Sequence, residues 1–219
     1  MTLHSPSELF ASVDSALQML DNWVELGWLR ALDHAFAEFV CTLSVPRLSG
    51  HNDGSSSGQL AVLAAMVSHQ VGRGHVCLDI HQLCADAEAT LALPPEGAAQ
   101  LAGAPESLWR PVDLFRDLAP DCLLDALRNS IAVGDGGHAT PLVLAGTRLY
   151  LRRFWRYEQR IAAGIRQRLS PAPTEKDQQL ASALDTLFGK TDSVDYQKVA
   201  CALAARNRFS VITGGPGTG

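Results

Sequence analysis

Phe209-Ser210-Val211-Ile212-Thr213-Gly214-Gly215-Pro216-Gly217-Thr218-Gly219 closes the chain, and its reading decides how the rest is organised. Phe209, Val211 and Ile212 form a short apolar run of strand type. Gly214 to Gly219 then spell G-x-x-x-x-G, the front half of a phosphate-binding loop. Such a loop aims successive backbone N–H groups at phosphate oxygens, and its glycines permit the turns and the close approach. The positive end of the helix that follows adds to the field. In the complete motif a lysine neutralises the terminal phosphates and a Ser or Thr hydroxyl holds magnesium. The sequence stops at Gly219, so the expectation is a chain cut inside the motif. A glycine-rich tail would show the same bare spacing. The strand-type run ahead of it and the Gly-Pro-Gly-Thr-Gly ending favour the loop.

Working upstream, Asp195 to Arg206 are predicted to form a helix that feeds this strand. Gln197 lies 17 residues ahead of Gly214. Its carboxamide donates and accepts, which matches the donor and acceptor on an adenine edge. Alone it would be an ordinary surface glutamine. Within Asp195-Tyr196-Gln197-Lys198-Val199-Ala200, just before the loop, the adenine contact is the better reading. A helix over 174–188, with Thr174 as cap, and a loop over 189–194 precede it. Ser170-Pro171-Ala172-Pro173 reads as a linker, dividing the chain into 1–170 and 171–219.

Before the linker, apolar positions Phe154, Tyr157, Ile161, Ile165 and Leu169 repeat at helical spacing over Arg152 to Leu169. The stretch 148–168 holds seven Arg and one acid, Glu158. With Tyr150, Phe154, Trp155 and Tyr157 interleaved, it fits a nucleic-acid backbone contact. It fits better a solvated basic face whose aromatics are core. Leu142-Val143-Leu144 and Arg148-Leu149-Tyr150-Leu151 flank Ala145-Gly146-Thr147, a β-hairpin signal. Ile131 to Val133 reads as a short strand, with Asp135-Gly136-Gly137 as a turn. Residues 112–130 read as one or two helices interrupted at Pro120, with Asp121 as a cap.

Nearer the N-terminus, residues 7–44 are predicted helical. Ser7 is a cap candidate, Leu9, Val13, Ala16, Leu17 and Leu20 share a face, and Gly27 breaks the pattern. A second run places Leu29, Leu32, Phe36, Phe39, Val40 and Leu43 on one face. The acids around these runs read as a solvated surface. Residues 49–58 read as a flexible loop by composition, and 59–71 as an amphipathic helix ended by Gly72 and Gly74. His75 to Ile80 alternates, with Val76, Leu78 and Ile80 toward a core. A short helix over 81–89 and an irregular stretch over 94–111 follow.

With 219 residues, 47% of them hydrophobic, the chain can bury a sizeable core. A net charge of −5 and a pI near 5.8 argue against a protein that coats nucleic acid with its whole surface. Cys41, Cys77, Cys84, Cys122 and Cys201 are scattered and odd in number, which suits reduced thiols in a cytoplasmic protein. No signal peptide or membrane-spanning run is evident. His69, His75, Cys77, His81 and Cys84 crowd together, but no paired ligand spacing appears. The expectation is no metal site and no Cys–His nucleophile.

Several stretches then resemble one family. They are Ser68-His69, Gly74-His75-Val76-Cys77-Leu78, Thr140 to Leu144 with Arg148 to Leu151, Gln197-Lys198-Val199-Ala200, and Val211 to Gly219. From about residue 20 to the end the chain resembles the N-terminal part of the RecD family, the alpha subunits of exodeoxyribonuclease V (the RecBCD helicase–nuclease). The loops at 49–58 and 94–111 look longer than the family pattern. The resemblance implies an α+β fold: a mostly helical N-terminal domain with a small hairpin, then the truncated start of a RecA-like α/β domain. It implies docking on a RecC-like subunit beside a RecB-like one, and 5′-to-3′ helicase action on DNA. It implies ATP and Mg²⁺ as cofactors of the longer parent, with Gln197 on adenine and Gly214, Gly215, Pro216, Gly217, Thr218 and Gly219 around the phosphates. Catalytic residues would lie beyond Gly219, leaving this piece inactive alone. The competing readings are a non-catalytic module that binds partner subunits and a different P-loop ATPase. Gln197 argues against the latter.

Overall fold

The computed structural model describes residues 10, 12–44, 54–95, 109–116, 118–169, 177–189 and 193–215. Ser7, the linker at 170–173, Thr174, most of the 94–111 stretch and Pro216 to Gly219 lie outside the described residues. The chain divides into two compact units, Met1–Arg156 and Tyr157–Gly219.

In the first unit, α1 spans Val13–Glu25. Ser12 caps it, its hydroxyl oxygen accepting from the Ser15 N–H at 3.1 Å. Ala16, Met19, Leu20 and Trp23 form its buried face. The break at Gly27 is as expected. Gly27 has φ +72°, its N–H bonds Val24 O at 2.9 Å, and the Trp28 N–H bonds Trp23 O at 2.8 Å. This paired C-terminal closure places its left-handed residue where glycine carries no steric penalty.

Helix α2, Ala31–Ser44, departs from expectation. Asp33, Ala37, Val40 and Cys41 face the core, while Leu32, Phe39 and Leu43 are exposed. Two apolar seams lie side by side on this helix, and periodicity does not say which one packs. The core seam includes a charge, Asp33, fully buried. Its carboxylate accepts from Arg30 Nη2 at 2.6 Å, Arg30 Nε at 3.0 Å and Ser68 Oγ at 2.7 Å.

Helix α3, Gly54–Gly72, begins inside the stretch expected to be a flexible loop, so residues 54–58 are helical. Gly58 explains the misreading: a Cβ there would lie 2.5 Å from Phe10 O. The glycine is there for close packing, not for flexibility. Every residue from Gly58 to Gln70 is buried, and α1, α2, the sheet and later helices pack around this axis. Its polar groups are satisfied. Among the described residues no buried side-chain nitrogen or oxygen lacks a partner.

Strands β1 (Cys77–Asp79), β2 (Val133–Gly134), β3 (Leu142–Ala145) and β4 (Arg148–Leu151) form one sheet in the order β1-β4-β3-β2. β4 pairs antiparallel with both β1 and β3, and β2 pairs parallel with β3. The hairpin is as expected, turning at Gly146 with φ +63°. Leu78 and Ile80 are buried, but Val76 is 48% exposed. The strand also stops sooner than alternation suggests, because the Asp79 carboxylate accepts from the His81 and Gln82 N–H groups and caps α4, Ile80–Ala85. Asp86 caps α5, Ala87–Leu91, so two short helices replace the single one expected. α6 (Pro111–Phe115) and α7 (Pro120–Arg128) break where Pro120 implies. Pro120 opens α7 after Ala119, and Asp121 sits inside the first turn instead of capping it. The Asp135 turn forms, its Oδ1 accepting from the Gly137 N–H at 2.9 Å.

Helix α8, Arg152–Arg168, forms as expected, but none of its residues is fully buried. The division between the units falls within it. In the second unit, α9 (Asp177–Phe188) packs on α10 (Tyr196–Arg206). The expected strand over Phe209 to Ile212 is not formed. Among the described residues this unit has no strand to offer it, and a strand exists only by pairing its N–H and C=O groups. The α+β character of the first unit stands. Among the described residues no helix is long and apolar enough to cross a membrane.

Candidate functional site

The expected nucleotide contacts begin on α10. Asp195 caps the helix, its Oδ1 accepting from the N–H groups of Gln197 at 2.9 Å and Lys198 at 3.1 Å. Lys198 Nζ reaches back to α9, donating to Asp185 Oδ1 at 2.5 Å and Gly189 O at 3.0 Å. The first turn of α10 is thus fixed from two sides, and Gln197 sits between the cap and the clasp, exposed. At the other end the N–H and Nδ2 of Asn207 both donate to Leu203 O, at 3.1 and 2.8 Å. The chain leaves α10 there and runs without regular structure to Gly215.

That run keeps its apolar residues in water: Val211 is 72% and Ile212 65% exposed. On α10 itself Tyr196, Val199 and Leu203 are also exposed. Gly214 and Gly215 are exposed in irregular chain, and Pro216, Gly217, Thr218 and Gly219 lie outside the described residues. Among the described residues, the second unit therefore holds Gln197 on α10 and Gly214 and Gly215 in irregular chain. A groove of about 600 Å³ also lies in this unit, lined by Tyr157, Ile161, Gly164, Ile165 and Phe209 with Arg160 and Arg168. The spacing of the α8 apolar residues signalled its wall, but not that Phe209 would sit against it.

The arginine-rich stretch is divided in role. Arg148 reaches Asp79 Oδ2 at 3.7 Å. Arg152 folds back on the loop before β3, donating to Thr140 O, Thr140 Oγ1 and Gly136 O. Both are structural. Arg153 lies 4.8 Å from the Phe154 ring centre. The aromatics were expected in the core, yet Tyr157 is 53% exposed.

The His and Cys cluster does not assemble. Among the described residues no three of His, Cys, Asp and Glu gather as a metal would require. His69 is buried with Nε2 2.9 Å from Leu91 O. A carbonyl only accepts, so Nε2 carries the hydrogen, and burial lowers the His69 pKa. Burial pushes the Cys84 thiol up to about 11, which suppresses the thiolate a nucleophile needs. His75 and Cys77 line a groove of about 480 Å³ with Arg73, Asp79 and Asp86. Both aspartates there already cap helices.

Residues 25–150 match the family model described as RecBCD enzyme subunit RecD, N-terminal domain. The match falls wholly within the first unit. Three curated relatives carry the name RecBCD enzyme subunit RecD. One, from Buchnera aphidicola subsp. Schizaphis graminum, is 38% identical over 93 residues, covering 42% of this chain and 15% of the relative. Another, from Buchnera aphidicola subsp. Acyrthosiphon pisum, is 24% identical over 203 residues, covering 93% of this chain and 29% of the relative. The third, from Haemophilus influenzae, is 37% identical over 87 residues, covering 36% and 13%. The chain thus spans less than a third of the length of each of these relatives.

Proposed function

This chain belongs to the RecD N-terminal-domain family, and on that premise we propose that it is the N-terminal part of an ATP-dependent DNA helicase subunit. The subunit moves 5′ to 3′ within a RecBCD-type exodeoxyribonuclease V that acts in double-strand break repair and recombination. Residues 1–170 dock on RecB-like and RecC-like subunits, and residues 171–219 open a RecA-like domain. In that domain Gln197 contacts adenine and Gly214 to Gly219 wrap the phosphates.

The observation that carries this reading is the state of α10 and the run after it. A helix with a capped, clasped first turn leads into a β-type run in which Val211 and Ile212 are mostly exposed. Strands of a parallel α/β sheet are apolar on both faces because helices cover both. Val211 and Ile212 have that chemistry and lack only the sheet. The Gln197 carboxamide is solvent-facing and fits an adenine edge, while the glycines offer backbone N–H groups without side-chain bulk. ATP would supply the phosphoanhydride whose hydrolysis drives movement. That hydrolysis requires the lysine and the hydroxyl that complete the motif.

The test is the gene beyond Gly219, followed by the full-length protein. Lys then Ser or Thr, with ATP hydrolysis stimulated by single-stranded DNA and co-purification with RecB-like and RecC-like proteins, is expected. A stop codon after Gly219 with retained co-purification would favour the alternative, a non-catalytic partner-binding module. A full-length protein without DNA-stimulated hydrolysis ends the helicase reading.

A further inference from the structure

A glutamine selects a base only if its carboxamide is held in place, because a donor and an acceptor have to meet their partners together. Gln197 stands on the first turn of an 11-residue helix, none of whose residues is fully buried. Helix ends fray, and a helix this short owes its placement to contacts with its neighbours. The Asp195 cap accepts from the N–H groups of Gln197 and Lys198, but it belongs to the same segment and moves with it. Lys198 does what the cap cannot, because it reaches a different element. Its ammonium donates to Asp185 Oδ1 at 2.5 Å and to Gly189 O at 3.0 Å. Both acceptors lie at the C-terminal end of α9, the negative end of its dipole. Gly189, at φ +74°, closes that helix by donating its N–H to Asp185 O at 3.0 Å. The Lys198 side chain is 26% exposed and that of Asp185 44%, so water screens the pair only in part. Neighbouring residues of a helix point about 100° apart, so Lys198 turns to α9 while Gln197 stays exposed. All of these residues lie in the second unit.

We propose that Lys198 is a positioning residue for base selection: clasped to Asp185 and Gly189, it fixes the turn from which Gln197 addresses adenine. On the reading above Gln197 contacts adenine, and this role of Lys198 rests on that contact. Lys198 acts through Gln197 and is not itself a base contact. The clasp sets where the carboxamide starts, so less freedom is lost when it engages the base. A pyrimidine triphosphate, held through its phosphates, draws nothing from that constraint. Loss of the clasp therefore lowers the preference between bases and leaves phosphate binding as it was.

The test uses the full-length protein, with equilibrium affinities measured for ATP and for cytidine triphosphate. The wild type should prefer ATP. Lys198→Met, which keeps an apolar stem and removes the charge, should cut that preference at least about threefold. Its affinity for cytidine triphosphate should not change. KM for ATP in DNA-stimulated hydrolysis should rise by the same factor, while kcat at saturation moves less than about twofold. The double variant Gln197→Ala/Lys198→Met should lose no more preference than Gln197→Ala alone, because one residue acts through the other. Thermal melting checks that each variant folds. If Lys198→Met does not, Asp185→Asn, which removes the partner charge at nearly constant shape, is read in its place. Equal weakening of both nucleotides by Lys198→Met would show a merely structural role and overturn the proposal. Additive losses in the double variant would overturn it too. A preference lost in Gln197→Ala but kept in Lys198→Met overturns this proposal alone. A wild type without ATP preference, or a Gln197→Ala variant that keeps it, overturns the adenine contact and this proposal with it.

Discussion

Asp33 shows how much one side chain can organise. It is fully buried, yet it gathers Arg30 from just ahead of its own helix and Ser68 from the central helix α3. Arg30 also donates to Ser68 O at 2.9 Å, which ties the two helices together. Its own side chain is 48% exposed, so most of the desolvation falls on Asp33. Arg30→Ala should therefore leave a buried carboxylate with only Ser68 and the backbone N–H of residue 30 as donors. The expected cost is about 2 kcal/mol, read from urea unfolding of the first unit. His69 gives a pH-dependent counterpart. Burial lowers its pKa in the fold, so below the unfolded value of about 6.5 the unfolded chain binds the extra proton. Stability should fall as pH drops from that value toward the lower folded pKa, and be unaffected by this group above it. His69→Gln keeps a donor for Leu91 O, and its stability should change less between pH 7.5 and 5.5 than that of the wild type.

Among the elements, what local chemistry governs was legible and what packing governs was not. The β3–β4 hairpin was readable because alternation and Gly146 act within a few residues. The Pro120 break and the Asp195-led helix were readable for the same reason. Helix α2 was misjudged because Leu32, Phe39 and Leu43 look as fit for a core as Val40, while the seam that packs is the one holding buried Asp33, bonded to Ser68. The start of α3 was misjudged because Gly54 to Gly58 have loop composition. Gly58→Ala tests that last point. Its Cβ would meet Phe10 O at 2.5 Å and Phe10 C at 2.9 Å, both backbone atoms. The substitution should destabilise the first unit by roughly 1–3 kcal/mol despite alanine's better helix propensity, measured by thermal or urea denaturation. An increase in stability would show that the contact yields without cost.

For the whole molecule, the two units differ in how much of their apolar surface is used. The first wraps a helix buried along most of its length and matches the family model. Among the described residues of the second, Leu184 is the buried hydrophobic side chain, while Leu187, Tyr196, Leu203, Val211 and Ile212 stay exposed. That asymmetry is why the sequence gives residue types for the proposed nucleotide site but not its geometry. Its residue types and spacing are local, and its geometry is not, because a strand and a phosphate loop take shape against neighbouring strands. Of the residues proposed for that site, Gln197 is the one whose surroundings are already set, by Asp195 on one side and Lys198 on the other.

The most direct measurement is nucleotide affinity of the full-length protein and its Gln197→Ala variant, with ATP compared against a pyrimidine triphosphate. The account predicts that the wild type prefers ATP. The variant should lose that preference by roughly tenfold, the order expected when a donor–acceptor pair is removed, while its pyrimidine triphosphate affinity stays unchanged. Equal affinities in the wild type, or an unaltered preference in the variant, would contradict it.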